Sequence, residues 1–153
     1  MKNLDRRDFF VALSAFAAMG TVTAEGQAHA SKVLSESMAF PYNKLPVHRS
    51  ANGGESRAVI QGVLATGEHV ELNETTLPPG QMPHPPHKHR HSEFMMIREG
   101  LVEFNNNGKM ERVGPGGVLF AASMVMHGLK NVGTVNANYF VLAIGVESGA
   151  TLV

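Results

Sequence analysis

The sequence predicts an all-β domain, a barrel or a sandwich, on three observations. Past position 54 the chain is a series of short apolar runs separated by turn residues. Inside several runs the residues alternate with period two, as where Val70 and Leu72 interleave with Glu71 and Asn73. No stretch of this region carries the 3.6-residue period of an amphipathic helix, so strands at this spacing imply sheets packed on each other or closed on themselves.

The elements follow in order. Residues 1–30 read as a targeting segment: Lys2 and the pair Arg6-Arg7 precede an apolar run from Phe9 to Met19, and Ala28-His29-Ala30 supplies a small-x-small cleavage site. Arg6-Arg7-Asp8-Phe9-Phe10 resembles a twin-arginine export signal, which implies a periplasmic or secreted protein. That run is too short to span a bilayer, so no stable membrane span is expected after cleavage. Residues 31–54 form an irregular lead-in broken by Pro41, Pro46 and Asn52-Gly53-Gly54, with Tyr42 and His48 at the surface. A barrel over residues 55–146 and a tail over 147–153 complete the chain. Within the barrel, strands are expected at 57–64 and 68–77, the second stopped by Pro78-Pro79-Gly80. His69 falls on the polar side of that alternation and is expected in solvent. Further strands are expected at 94–98, 101–104, 109–113, 118–121, 125–129 and 139–145, with a hairpin about Asn105-Asn106-Asn107-Gly108.

Composition narrows the partners. With 13 basic and 13 acidic residues in 153, no long-range field draws the protein to nucleic acid or to an anionic membrane. There is no cysteine, hence neither a disulfide framework nor a thiolate ligand. A small-molecule ligand or substrate is the partner to look for.

Residues 80–93 show where it would act. Four of the eight histidines, His84, His87, His89 and His91, fall within eight positions. On an extended chain His87 and His89 leave the same face about 6.6 Å apart, close enough to meet at one ion. Glu93 shares their parity but would lie roughly 13 Å from His89 on a straight strand, so the chain should turn at Arg90-His91-Ser92 and start a new strand at Glu93. The one later histidine, His127, sits in an apolar run and supplies a fourth donor. Three imidazoles and a carboxylate suit one divalent Zn, Fe, Mn, Ni, Cu or Co ion. Pro83, Pro85 and Pro86 lack N–H groups, so this rim segment is expected to be stiff, extended and unpaired, with His84 near the mouth of a pocket. Lys88 and Arg90 alternate with the histidines and should point away. Met95 and Ile97 share the face of Glu93 and predict an apolar wall beside the ion.

These residues resemble the two motifs of the cupins. Gly80, His87, His89, Glu93 and Gly100 occupy the places of the first motif, with Gly80 one residue further from the histidine pair than usual. Gly116, His127 and Asn131 match the second, while Ala122 and Met124 stand where its proline and second glycine are expected. The resemblance covers roughly positions 40–146. It implies a double-stranded β-helix, or jelly-roll, barrel, with His87, His89, Glu93 and His127 as metal ligands. A homodimer is implied too, consistent with a strand at 94–98 that is apolar on both faces and so covered twice.

Three classes of function are open: an enzyme, a binding module, and a structural or storage protein, the last of which the fairly complete ligand set argues against. The favoured one is a metal-dependent enzyme of dioxygenase type acting on a small, mainly apolar or aromatic molecule. The alternatives are a cupin isomerase or lyase and a non-catalytic module that holds a small ligand or the metal itself. His84 and His91 are the candidates for acid–base or second-shell work, with Tyr139 and Glu103 as further candidate acids or bases.

Overall fold

The computed structural model describes residues 32–145, and the expected leader at 1–30 and tail at 147–153 lie outside the described residues. Ten strands form among them: β1 (Val33–Leu34), β2 (Val47–Arg49), β3 (Glu55–Leu64), β4 (His69–Leu77), β5 (Ser92–Glu99), β6 (Val102–Asn106), β7 (Lys109–Val113), β8 (Val118–Ala121), β9 (His127–Asn131) and β10 (Ala137–Gly145). One sheet runs β1-β3-β4-β10-β5-β8 with β2 added to β3, and the other runs β7-β6-β9. This is the jelly roll implied by the motifs. The core lies between the sheets and includes Leu77, Met95, Ile97, Phe104, Leu129 and Tyr139.

Strand ends follow from turn chemistry. Asn105 and Asn106 join β6, so only Asn107 and Gly108 turn the hairpin, with φ of 50° and 93°. Two residues at positive φ match the right-handed twist of the flanking strands. Gly100, at φ 80°, turns β5 into β6, and a Cβ there would lie 2.7 Å from the Cα of Ala137. β9 begins two residues later than expected because Val125 is held in a turn by its N–H bond to the Ala122 carbonyl.

The register of β4, β10 and β5 decides which side chains face inward. Thr75, Tyr139 and Ile97 form one row across the three strands, and Tyr139 and Ile97 are core residues. Counting by twos toward the other end gives the rows Asn73, Val141, Met95 and then Glu71, Ala143, Glu93. The polar side of β4 therefore faces the barrel interior, and His69 shares that inward face. Its opposite side is covered as well. Glu74 is fully buried there, paired with Arg57 at 3.1 Å and bonded by Asn138, while the Arg57 guanidinium sits 4.5 Å from the ring centroid of Tyr42 in the lead-in. With both faces covered, alternation alone carried no sign of inside and outside.

Candidate metal centre

Residues 80–91 run as a loop alongside β9, and they are paired where the sequence permits it. The Gly80 N–H donates to the Asn131 carbonyl, and the Asn131 N–H to that of Gln81. Further along, His87 and His127 exchange both backbone hydrogen bonds, at 2.9 and 2.8 Å, and the Met124 N–H donates to the His89 carbonyl at 2.7 Å. The expectation of an unpaired rim thus holds only for the proline stretch between these anchors, since prolines remove donors only at their own positions. A residue pair that exchanges both bonds puts its side chains on one face, so this bridge brings His87 and His127 together from 40 residues apart. Gly128 permits the approach: a Cβ there would come within 3.0 Å of the Pro86 ring.

The three imidazoles converge. Ring centroids lie 4.9 Å apart for His87–His89, 4.9 Å for His87–His127 and 4.7 Å for His89–His127. One ligand atom from each lies within 4.8 Å of the others. The His89 Nδ1–H donates to the His91 carbonyl and the His127 Nδ1–H to that of Val125, both at 2.9 Å. Each bond places a proton on Nδ1, so Nε2 faces the cluster as a lone pair in the neutral ring and as a donor toward Glu93 when the ring is protonated. His87 Nδ1, His89 Nε2 and His127 Nε2 are buried and make no well-formed hydrogen bond, the last two having only Glu93 oxygens nearby, at 3.2 and 3.5 Å. An unsatisfied buried polar atom costs about 1–3 kcal/mol, so three rings clustered this closely fit a cation that shares their lone pairs.

Glu93 closes the cluster from β5. Its Oε1 lies 3.2 Å from His89 Nε2 and 3.1 Å from His91 Nε2, and its Oε2 lies 3.5 Å from His127 Nε2. Burial alone would raise this carboxyl, but the ring nitrogens of His127, His89 and His91 overcome it and hold the group far below the ordinary carboxylate range. Glu93 is therefore an anion. The same contact raises His127 above the usual imidazole value, against the effect of its burial. Burial, followed by the neighbouring rings of His84, His127 and His89, pushes His87 down to about 4, so at neutral pH its lone pair is free.

The remaining candidates divide. His91 lies flat on His89, with centroids 3.6 Å apart and planes 12° apart, and its Nε2–H donates to Glu93. His84 meets the His87 ring edge-on at 4.1 Å and donates from Nδ1 to the Pro85 carbonyl. Both touch the cluster, His91 on the Glu93 side and His84 on the His87 side. Tyr139 is deep in the core, where burial, reinforced by the charge of Glu93, pushes its hydroxyl well above the ordinary range and keeps it neutral. Glu103 belongs to the other face of β6 from Val102 and Phe104 and pairs with Arg112 at 3.1 Å, so it is not part of the cluster. Lys88 is exposed, as expected.

Three features were not anticipated from sequence. Met124, in the place of the second motif's glycine, adopts a left-handed backbone, φ 61°, of the kind glycine accepts most readily. Asn131 is fully buried and secures the end of β9, donating to the carbonyls of Leu77 and Val135 at 2.8 Å each. Met95 and Ile97 do share the face of Glu93, but they are sealed into the core at 4% and 3% exposure. The walls near Glu93 are instead Ala143 and Ala121, its partners in register, with Glu71 beyond Ala143.

Residues 73–144 match the family described as Cupin_2, Cupin domain. No curated protein matches the chain. Among solved structures, KdgF from a Halomonas species superposes with a TM-score of 0.64 at 17% identity, covering 76% of this chain and 100% of that one. A predicted oxalate decarboxylase from Thermotoga maritima gives 0.60 at 22% identity, covering 71% and 100%. A sugar phosphate isomerase of the cupin superfamily from Silicibacter pomeroyi gives 0.60 at 16% identity, covering 71% and 76%. At these identities the likeness establishes the fold, and the decarboxylase and isomerase among these structures differ in activity.

Proposed function

We propose that this chain, whose residues 73–144 form a cupin domain, holds one divalent transition metal through His87, His89, Glu93 and His127 and acts on a small organic molecule, with dioxygenase-type oxidation favoured. The observation that supports this reading is the convergence of His87, His89 and His127, with one ligand atom of each within 4.8 Å of the others and buried ring nitrogens that make no well-formed hydrogen bond. When bound, the ion would serve as a Lewis acid or oxygen-activating centre. The chain's own contributions are the two backbone carbonyls that set the tautomers of His89 and His127, and the Glu93 charge that offsets a divalent cation. His84 and His91, at the margin of the cluster, would accept a proton from a phenolic substrate.

The test loads the protein separately with iron, manganese, nickel, copper and cobalt, offers flavonols, catechols and diketones, and follows oxygen uptake. Consumption with at least one pair is expected. No uptake by any metal form, with a ligand still binding by calorimetry, would replace the oxidase reading with that of a binding module; turnover without oxygen would favour an isomerase or lyase.

Two further parts belong to the same reading. Phe94, Met96, Val118 and Phe120 lie on the outer face of β5 and β8, all exposed, with the two phenylalanine rings 4.9 Å apart. This patch supports a homodimer that covers it. Sedimentation should give a dimer for the wild type and a monomer for Phe120→Glu; a monomeric wild type ends the idea. Export by the twin-arginine route would let the metal be chosen inside the cell before translocation. Changing Arg6 and Arg7 to lysine should stop it, and undiminished export of that variant removes the twin-arginine reading.

A further inference from the structure

The inward side chains of β10 shrink in order along the strand: Tyr139, Val141, Ala143, Gly145. Tyr139 is 2% exposed, whereas the other three are half-buried. Space above the strand therefore widens as far as Ala143, and at Gly145 it is closed by His91, whose Cα lies 3.4 Å from the position a Cβ on Gly145 would take. At the level of Ala143 the space has two different flanks. Glu93 of the histidine cluster stands directly opposite Ala143 on β5, and Glu71 stands directly opposite it on β4. Adjacent strands are about 4.8 Å apart, so the two carboxylate-bearing backbones are separated by roughly 9.6 Å with only a methyl group between them. One level deeper, Asn73 faces inward beside Glu71 and donates from Nδ2 to its Oε1 at 2.6 Å. That bond fixes the Glu71 carboxylate and leaves its other oxygen able to accept.

From this juxtaposition we infer that the strip of β10 at Ala143, walled by His91 beyond it, is the floor of the substrate seat and that Glu71, braced by Asn73, is the residue that selects what sits there. A molecule lying across the strip would present a metal-binding oxygen toward the histidine cluster and a hydrogen-bond donor, a hydroxyl or an ammonium group, toward Glu71. The substrate class is thereby narrowed to small molecules polar at both ends. Purely apolar ones would leave the second Glu71 oxygen facing an apolar group, and an ionised oxygen so left costs more than a neutral one. The inference rests on the metal reading above for one end of the molecule and on Glu71 for the other.

Two probes separate the ends: catechol, which offers only the metal-binding oxygens, and dopamine, which adds an ammonium group on a short arm. Binding to the iron-loaded protein is measured by calorimetry, with metal content determined on the same samples. The wild type should bind dopamine at least about tenfold more tightly than catechol, as one charge-assisted hydrogen bond implies. Glu71→Gln should erase that preference and leave catechol binding unchanged. Ala143→Leu should weaken both probes at wild-type metal content, because the added side chain occupies the seat; if that variant does not fold, Ala143→Val asks the same question with a smaller group. Equal affinity of the wild type for both probes, a preference that survives Glu71→Gln, or undiminished binding by the position-143 variant would each overturn the inference. A wild type that takes up no iron would instead bring down the metal reading, and this inference with it.

Discussion

His127 and Leu129 stand two residues apart on one face of β9, and each is 3% exposed. Leu129 meets the core, where burial of its side chain contributes about 1.5–3 kcal/mol to folding. His127 presents an imidazole nitrogen that makes no well-formed hydrogen bond at the same depth, together with two more from the loop that β9 anchors. One strand therefore serves a half of the barrel that stabilises the fold and a half that costs stability in the metal-free state. Equal burial with opposite energetic sign marks the upper half as built for an occupant.

The largest effect expected from this contrast is in the lower half. Leu129→Ala should lower unfolding free energy by about 2–5 kcal/mol, read by denaturant titration, while protein that remains folded keeps its metal stoichiometry. A loss of metal out of proportion to the loss of folded protein would show that the halves are not separable. In the upper half the sign reverses. His87→Leu should stabilise the metal-free protein by about 1 kcal/mol, because it removes a buried nitrogen that has no partner. The same variant tests a pH dependence. His87 takes its proton at about 4 in the folded state and near 6.5 when unfolded, so between those values the unfolded chain binds more protons. Metal-free stability should fall as pH drops from about 6.5 toward 4, and His87→Leu should flatten that part of the curve. An unchanged slope would show that the ring is not held neutral.

How much of this was legible in the sequence depends on what each pattern encodes. Asn107-Gly108 specified a hairpin because both residues tolerate positive φ, and His87, His89 and Glu93 indicated a meeting point because their parity and the turn before Glu93 are local geometry. The inward face of β4 was not legible. Val70 and Leu72 alternate with Glu71 and Asn73, but Arg57 of β3, with Tyr42 of the lead-in over its guanidinium, covers Glu74 on the outer side of the strand, so polarity and exposure no longer run together. Pairing of the rim loop with β9 was hidden for a related reason: three prolines suggested a segment with no ladder, whereas the bonds are made by His87, Gln81 and Gly80 around them. The backbone of Met124 was obscured by its side chain, since a left-handed conformation is rarely inferred at a methionine.

That last residue supplies the smallest expected effect. Met124→Gly should stabilise the protein by up to about 1 kcal/mol in thermal or denaturant unfolding, by removing the cost of a Cβ in the left-handed region, and should leave metal content unchanged. A destabilised variant would mean that contacts of the Met124 side chain outweigh the strain of its backbone.

The measurement that bears most directly on the cluster is the metal content of the protein purified from its native compartment, beside that of His89→Ala and His127→Ala prepared identically. The account predicts about one transition-metal ion per chain in the wild type and loss of most of it in each variant, since each removes one of four donors. Wild-type content in both variants would contradict it, and would place whatever metal the protein carries somewhere other than this cluster.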